Sequence, residues 1–185
     1  MNISSVELIQ DLIERTREHI NKAEQLKQLP LETLNWKKDQ KSWSILECVE
    51  HLNRYGDFYI PEIEEKIKHS KSTSVDRFKS SGLGNYFANV MLPKEKLNTM
   101  KTFVSMNPLG SVLHPDVLSK FIQQQHLLID ALSLAKNVNL NTTKTSISIS
   151  KWIKLKLGDT FRVVIYHNQR HIAQAERVLE QVSEN

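Results

Sequence analysis

Four stretches of this 185-residue chain carry apolar residues at the three- and four-residue spacing of an amphipathic helix, and this pattern limits the fold more than any other feature. Pro30 ends the first stretch, Ser44 suits the cap of the second, Pro115 suits the first turn of the third, and Asp159 suits the cap of the fourth. The sequence therefore predicts an all-α protein built as a four-helix bundle. Its helices are expected at about residues 5–28, 44–69, 115–136 and 159–182.

Local signals refine the first two predicted helices. Ser4 with Glu7, and Ser44 with Glu47, have the spacing of a capping box, in which a serine and a glutamate bind each other's backbone N–H groups. Pro61 falls inside the second predicted helix. Because proline lacks an N–H group and its ring crowds the preceding turn, we expect it to kink this helix or divide it.

A long connection, residues 70–114, separates the second predicted helix from the third. A connection of this length can cross the bundle, so that the two helices it joins lie parallel. Residues 84–91 within it are predicted to form a short helix. Residues 145–150 alternate in polarity like one short strand, for which the sequence offers no visible partner. We expect a single domain over residues 1–185.

Composition and charge argue against several functional classes. The net charge is +4, but the lysines stand in short groups without interleaved aromatic residues, which is typical of a solvated surface rather than of a nucleic-acid site. No stretch approaches the ~20 apolar residues of a membrane span, and no signal-peptide pattern is visible. Cys48 is the only cysteine, so no intramolecular disulfide can form. We expect a cytoplasmic protein that binds neither nucleic acid nor a membrane.

Three of the seven histidines are arranged as metal ligands are. His167 and His171 are four residues apart, so they project from one face of the fourth predicted helix, in the same arc as Val164. Such a pair is common by chance, and a buried histidine often only hydrogen-bonds to the backbone. His51 strengthens the pattern, because it lies at the edge of the apolar stripe of the second predicted helix. Three imidazoles suit zinc, nickel, copper or iron(II) and leave positions open for water or substrate.

The neighbours of these histidines have more ordinary explanations. Glu47 can be a fourth ligand or a hydrogen-bond acceptor for a ligand, but its position after Ser44 favours the cap. Gln174 is predicted to hydrogen-bond a ligating histidine. Cys48 is interpreted as a buried apolar group, and Trp43 is expected to pack across the start of its helix. The other histidines are predicted to be surface or boundary residues: His19, His69, His114 and His126.

Two separated blocks of the sequence resemble one known family. Residues 43–52 (WSILECVEHL) are similar to the Trp-Ser, Glu and His-Leu signature of the DinB-like superfamily. Residues 157–159 (LGD) and 166–174 (YHNQRHIAQ) resemble the closing helix of that family, with its two histidines and trailing glutamine. The blocks occur in the family's order and near its usual separation, so the joint match is far more specific than either half.

The resemblance implies a four-helix bundle with a long crossover between its second and third helices. It also implies a site in which His51, His167 and His171 hold nickel, zinc or another divalent ion. Known relatives include transferases and isomerases that use low-molecular-weight thiols such as bacillithiol, mycothiol or glutathione, and proteins described as metal-dependent hydrolases. The family name does not imply DNA binding. Homodimerisation is expected from the resemblance alone.

Several functions remain open at this point. In the first, the metal ion acidifies a small-molecule thiol, which attacks an electrophile. In the second, metal-activated water hydrolyses a small-molecule substrate, for which Glu47 or Glu50 would be the nearest general base. In the third, the bundle binds a metal or ligand without turnover. A fourth, in which the histidines are accidental, requires three of them to fall at family positions by chance. Thiol transfer is the leading hypothesis.

Overall fold

The computed structural model describes residues 1–93 and 102–183, most of which are helical. The helices are α1 (Ser5–Leu26), α2 (Leu31–Asn35), α3 (Ile45–Lys68), α4 (Gly82–Met91), α5 (Asp116–Ala135) and α6 (Leu157–Ser183). The strands are β1 (Asn2–Ser4), β2 (Arg77–Lys79), β3 (Lys144–Ile147) and β4 (Ser150–Lys156). A short 3-10 turn spans Val104–Met106. The predicted all-α class agrees with this helical content, but the sequence did not predict two small sheets.

The four long helices pack in pairs. α3 contacts α5 and α6, and α1 contacts the same two helices. Their inner faces bury apolar side chains in two clusters, one around Leu8 and Phe161 and the other around Leu46, Phe121 and Ile172. Burial of such a side chain contributes about 1.5–3 kcal/mol, so these faces hold the helices together. The histidines of interest lie where α3 and α6 meet.

The start of α3 is fixed by the predicted capping box. The Glu47 N–H donates to Ser44 Oγ at 3.2 Å, and the Ser44 N–H donates to Glu47 Oε2 at 2.9 Å. The helix then continues unbroken through Pro61, so the predicted division is wrong. Pro61 has no N–H group to donate to the carbonyl of Asp57, four residues earlier in the helix. Both residues are exposed, so water can hydrogen-bond to that carbonyl instead.

The capping box predicted at Ser4 is absent. Ser4 belongs to β1, where it pairs with Arg77 of β2, and its side chain makes no cap hydrogen bond. Ser5 Oγ donates instead to the Val75 carbonyl at 2.7 Å. The strand pairing holds this end of the chain in extended geometry, and α1 begins only at Ser5.

The strand predicted near residues 145–150 is β3, and its partner is the adjacent segment β4, in an antiparallel pairing. The sequence showed no partner for this strand, and the structure supplies one in β4. β4 leads directly into α6 with no turn residue between them. The alternation of polar and apolar residues in β4 therefore runs straight into the helical pattern of α6, and the sequence does not mark where the strand ends. Thr145 Oγ1 and Thr160 Oγ1 lie 2.6 Å apart and join the hairpin to α6.

Asp159 is not the cap of α6, because that helix begins at Leu157. Its buried carboxylate instead accepts hydrogen bonds from the Ser81 N–H and the Ser81 hydroxyl, each at 3.0 Å, and from the Ser80 hydroxyl. A Cβ at Gly84 would lie 2.2 Å from this carboxylate, so only glycine permits the approach. These contacts anchor α4 against the first turn of α6.

The connection between α3 and α5 contains β2, α4 and the 3-10 turn, and α4 includes the predicted short helix. Residues 94–101 of this predicted connection lie outside the described residues. In the described ranges, no helix is both long and apolar enough to cross a membrane. The prediction of one domain over residues 1–185 stays a prediction.

His19 is buried, which corrects its predicted surface position, whereas His69, His114 and His126 are exposed as predicted. His19 lies three residues after Thr16 and four before Ala23, both buried, so it shares the inner face of α1. Neither ring nitrogen has a hydrogen-bond partner among the described residues. Burial lowers the pKa of His19 to about 3, with a smaller contribution from Arg15.

We predict that His19→Leu raises the free energy of unfolding at neutral pH by about 1 kcal/mol, because it removes an unpartnered buried polar group. The folded pKa of about 3 lies below the ordinary value of 6.5, so the unfolded chain takes up the proton first. Natural His19 therefore costs stability as pH falls from 6.5 toward 3, by about 1.36 kcal/mol per pH unit. Urea denaturation at several pH values measures both effects.

The matched control is His126→Leu, which changes an exposed histidine on α5. We expect this variant to keep the acid sensitivity of the natural protein. An unchanged pH dependence in His19→Leu would contradict a buried, neutral His19.

Candidate metal centre

The contact between α3 and α6 brings together His51, His167 and His171. Each contributes a ring nitrogen to a cluster whose atoms all lie within 4.8 Å of one another, and His51 Nε2 is 3.2 Å from His167 Nε2. His51 and His167 are buried, and His171 is partly exposed. The four-residue spacing on α6 places two rings one turn apart, opposite the single ring from α3. This cluster could hold one metal ion.

Hydrogen bonds orient two of the three rings. His51 Nδ1 donates to the Met106 carbonyl at 2.7 Å, and His171 Nδ1 donates to Gln174 Oε1 at 2.9 Å. With the proton on Nδ1, Nε2 keeps the lone pair that a metal ion requires. Such partners fix the tautomer and orientation of ligating histidines in metalloproteins. The predicted contact of Gln174 with a histidine is therefore present.

The Met106 carbonyl was not identified from the sequence. It belongs to the 3-10 turn, 55 residues after His51, in a segment whose sequence pattern gives no sign of where it folds. Arg54 holds this turn from α3, because its guanidinium donates to the Asn107 carbonyl at 2.9 Å. One turn of α3 therefore carries both His51 and the side chain that positions its hydrogen-bond partner.

Burial keeps these imidazoles neutral. It lowers the pKa of His51 to about 4 and that of His171 to about 3, and neighbouring His51 contributes to the second shift. The pKa of His167 is also well below its ordinary value, because of burial and the nearby ring of His171. A neutral imidazole is the form that binds a metal ion. The cluster therefore presents its lone pairs at neutral pH.

Aromatic side chains enclose the histidines. The Trp43 ring centroid lies 4.8 Å from that of His51 and 5.7 Å from that of His171. Tyr55 lies 5.0 Å from His51 and 4.7 Å from His167. Trp43 thus contacts two of the candidate ligands, whereas the sequence predicted only packing at the helix start. Tyr55 follows His51 by one turn of α3 and so lies on the same face of that helix.

The nearby carboxylates have other partners. The buried Glu47 carboxylate completes the capping box, accepts the Gly110 N–H at 2.7 Å and forms an ion pair with Lys37. Glu50 forms an ion pair with Arg54 at 3.0 Å. These contacts support the interpretation of Glu47 as a cap rather than a ligand.

A cavity of about 810 Å³ opens beside the histidine cluster. His51, His167, His171 and Gln174 line it together with both enclosing aromatic residues. Cys48 is fully buried in the core and is not among the lining residues, and burial raises the pKa of its thiol. The cavity is within the size range of small-molecule sites, which is roughly 300–1,000 Å³.

The mostly helical fold and the three-histidine cluster beside a cavity make this protein a candidate metal-binding protein. The DinB superfamily model matches residues 12–175, which include all three histidines. The chain belongs to the DinB superfamily, as the sequence blocks indicated. No significant match was found among curated proteins or among solved structures.

Proposed function

We propose that His51, His167 and His171 bind one divalent metal ion, nickel or zinc, and that the protein transfers a low-molecular-weight thiol to an electrophile. The observation that carries this proposal is the set of three neutral imidazoles beside a cavity large enough for a small molecule. We also propose that α1, α3, α5 and α6 form the DinB-type four-helix bundle, crossed between α3 and α5. This chain's cytoplasmic location and homodimerisation stay predictions.

The donor set fits such an ion. Three imidazole nitrogens are the ligands that zinc and nickel accept readily, and three protein ligands leave positions for a substrate atom. A divalent ion held there would act as a Lewis acid and lower the pKa of a bound thiol. The Met106 carbonyl and Gln174 would hold the rings of His51 and His171 in place.

The lining of the cavity favours thiol transfer over hydrolysis. Among the described residues that line it, none is an aspartate or a glutamate, so no carboxylate is placed there as a general base for water. Glu47 and Glu50 are engaged in the contacts described above. Cys48 lies away from the cavity, so the thiol must come from a small molecule.

The proposed reaction is a substitution or an addition at an electrophilic carbon. In a substitution the sulfur–carbon bond forms as the leaving group departs with its electron pair, and the thiol proton passes to solvent. In an addition the π electron pair of the electrophile moves to the neighbouring atom, which takes up a proton from solvent in place of the one that the thiol released. In this scheme the chain's own residues bind and orient the reactants. Trp43 and Tyr55 flank the histidines and restrict the access of water to them.

We predict that tag-free protein purified without added metal contains close to one equivalent of nickel, zinc or a similar divalent ion. His51→Ala, His167→Ala and His171→Ala should each lose it while the helical circular dichroism persists, because each removes one of three ligands. Elemental analysis provides the measurement, and His126→Ala, an exposed histidine on α5, is the matched control. A natural protein that carries no metal and binds none on addition would contradict the site.

We predict thiol conjugation by the metal-loaded protein. A thiol with a pKa of ~8.5 is only slightly ionised at neutral pH, so its acidification should raise the rate by about tenfold or more. Conjugates of bacillithiol, mycothiol and glutathione with chlorodinitrobenzene can be followed by mass spectrometry. His167→Ala should lose the acceleration.

Ester hydrolysis without conjugation would favour the hydrolase alternative. Neither activity in a metal-loaded protein would favour a bundle that binds without turnover.

A further inference from the structure

The two ends of the same cavity differ in chemistry. We propose that the cavity binds an amphipathic organic anion, with the negative group beside Lys38, Lys41 and Arg177 and the apolar body at the opposite end. This inference deepens the proposed function, on which it rests for the cavity's role as a substrate site. It does not require a bound metal ion, so the two can be tested separately.

Ring contacts define the two ends of the cavity. On α3, Trp43 precedes His51 and Tyr55 follows it. Trp43 contacts His171, and Tyr55 contacts His167. α3 and α6 therefore run in opposite directions at this contact. The end of the cavity near Trp43 corresponds to the later turns of α6, and the end near Tyr55 corresponds to its earlier turns.

Basic side chains line the end near Trp43. Lys38 and Lys41 belong to the loop before α3, and Arg177 lies on α6 between one and two turns after His171. Arg170 adds a fourth cation to the lining. Lys38 and Lys41 place positive charge at this end, and no carboxylate of the described residues lines the cavity, so this end suits an anionic group.

One carboxylate, that of Asp39, stands against the two lysines of this loop and reduces their positive charge without cancelling it. Asp39 lies between the two lysines in the chain, but its carboxylate accepts the backbone N–H groups of Lys41 at 2.8 Å and Ser42 at 2.9 Å and is not part of the lining. Lys37, in contrast, forms the ion pair with Glu47 and does not line the cavity. The loop thus directs one lysine to the helix cap and two to the cavity.

Apolar side chains line the opposite end. Val163 and Val164 come from α6, Phe87 and Met91 from α4, and Leu155 from the β3–β4 hairpin. Both α4 and the hairpin are anchored to the first turns of α6, by the Asp159 contacts and by the threonine pair. This end is therefore a fixed apolar wall, which gains free energy by covering an aliphatic or aromatic group.

The two ends are separated by a distance that selects ligand length. Arg177 and Val164 are thirteen residues apart on one helix, which corresponds to roughly 20 Å along its axis. A bare inorganic anion reaches only the basic end. An anion with an extended apolar chain of about ten or more carbons passes the histidine cluster and directs its far end toward the apolar wall, so the charge contact and the burial of the chain both contribute to binding.

Calorimetric titration of the whole protein with dodecanoate tests the proposal, first metal-free and then zinc-loaded. We expect one dodecanoate per chain, bound at least about tenfold more tightly than dodecylamine, which has the same chain and the opposite charge, or acetate, which has no chain. Lys38→Gln/Lys41→Gln should weaken dodecanoate binding about tenfold. The matched control is Lys68→Gln/Lys71→Gln, which changes two exposed lysines outside the cavity and should have no effect.

Equal affinity for dodecylamine, or an unchanged affinity in Lys38→Gln/Lys41→Gln, would overturn the proposal. Met91→Asp, at a partly exposed position of the apolar end, probes that end independently and should weaken dodecanoate but not acetate binding, and equal effects on both would also overturn the proposal. These outcomes are distinct from failure of the metal site. Dodecanoate binding to a protein that takes up no metal would contradict only the metal-dependent function, and metal uptake without dodecanoate binding would contradict only this inference.

Discussion

The candidate metal site and the cavity beside it both depend on the contact between α3 and α6. It places one imidazole from α3 against two from α6, and the antiparallel direction of the helices gives the adjoining cavity two different ends. Other contacts fix this pairing. The capping box sets where α3 begins, and the buried Asp159 carboxylate ties the first turn of α6 to the segment that starts α4. A shift of either helix by one turn, about 5.4 Å, would separate the three rings.

Burial of polar groups at this contact has a cost, which a bound metal ion would offset. Three neutral imidazoles with lowered pKa values stand where apolar side chains would stabilise the fold more. Two of them have hydrogen-bond partners that direct their lone pairs toward the cluster, at the Met106 carbonyl and at Gln174. His19 differs, because its buried ring has no hydrogen-bond partner among the described residues and does not line the cavity. Histidines held by such partners are typical of metal sites, and this cluster could hold an ion.

The features that the sequence predicted are those that local patterns encode. Helical periodicity located the four long helices, and the four-residue spacing of His167 and His171 with the cap at Ser44 located the candidate ligands. The features it missed depend on contacts between distant segments. The Met106 carbonyl and the walls contributed by α4 and the hairpin come from a long connection and a strand without turn signals. His19 was misplaced because a single polar residue within an apolar face does not reveal whether that face is wholly buried.

The most direct test is a crystal structure of the zinc-loaded protein with diffraction data collected at the zinc absorption edge. The account predicts one anomalous peak bonded to one ring nitrogen each of His51, His167 and His171, at roughly 2.0–2.1 Å. The peak should face the cavity, with Gln174 still hydrogen-bonded to His171. A peak at any other residues, or three imidazoles without a peak at saturating zinc, would contradict it.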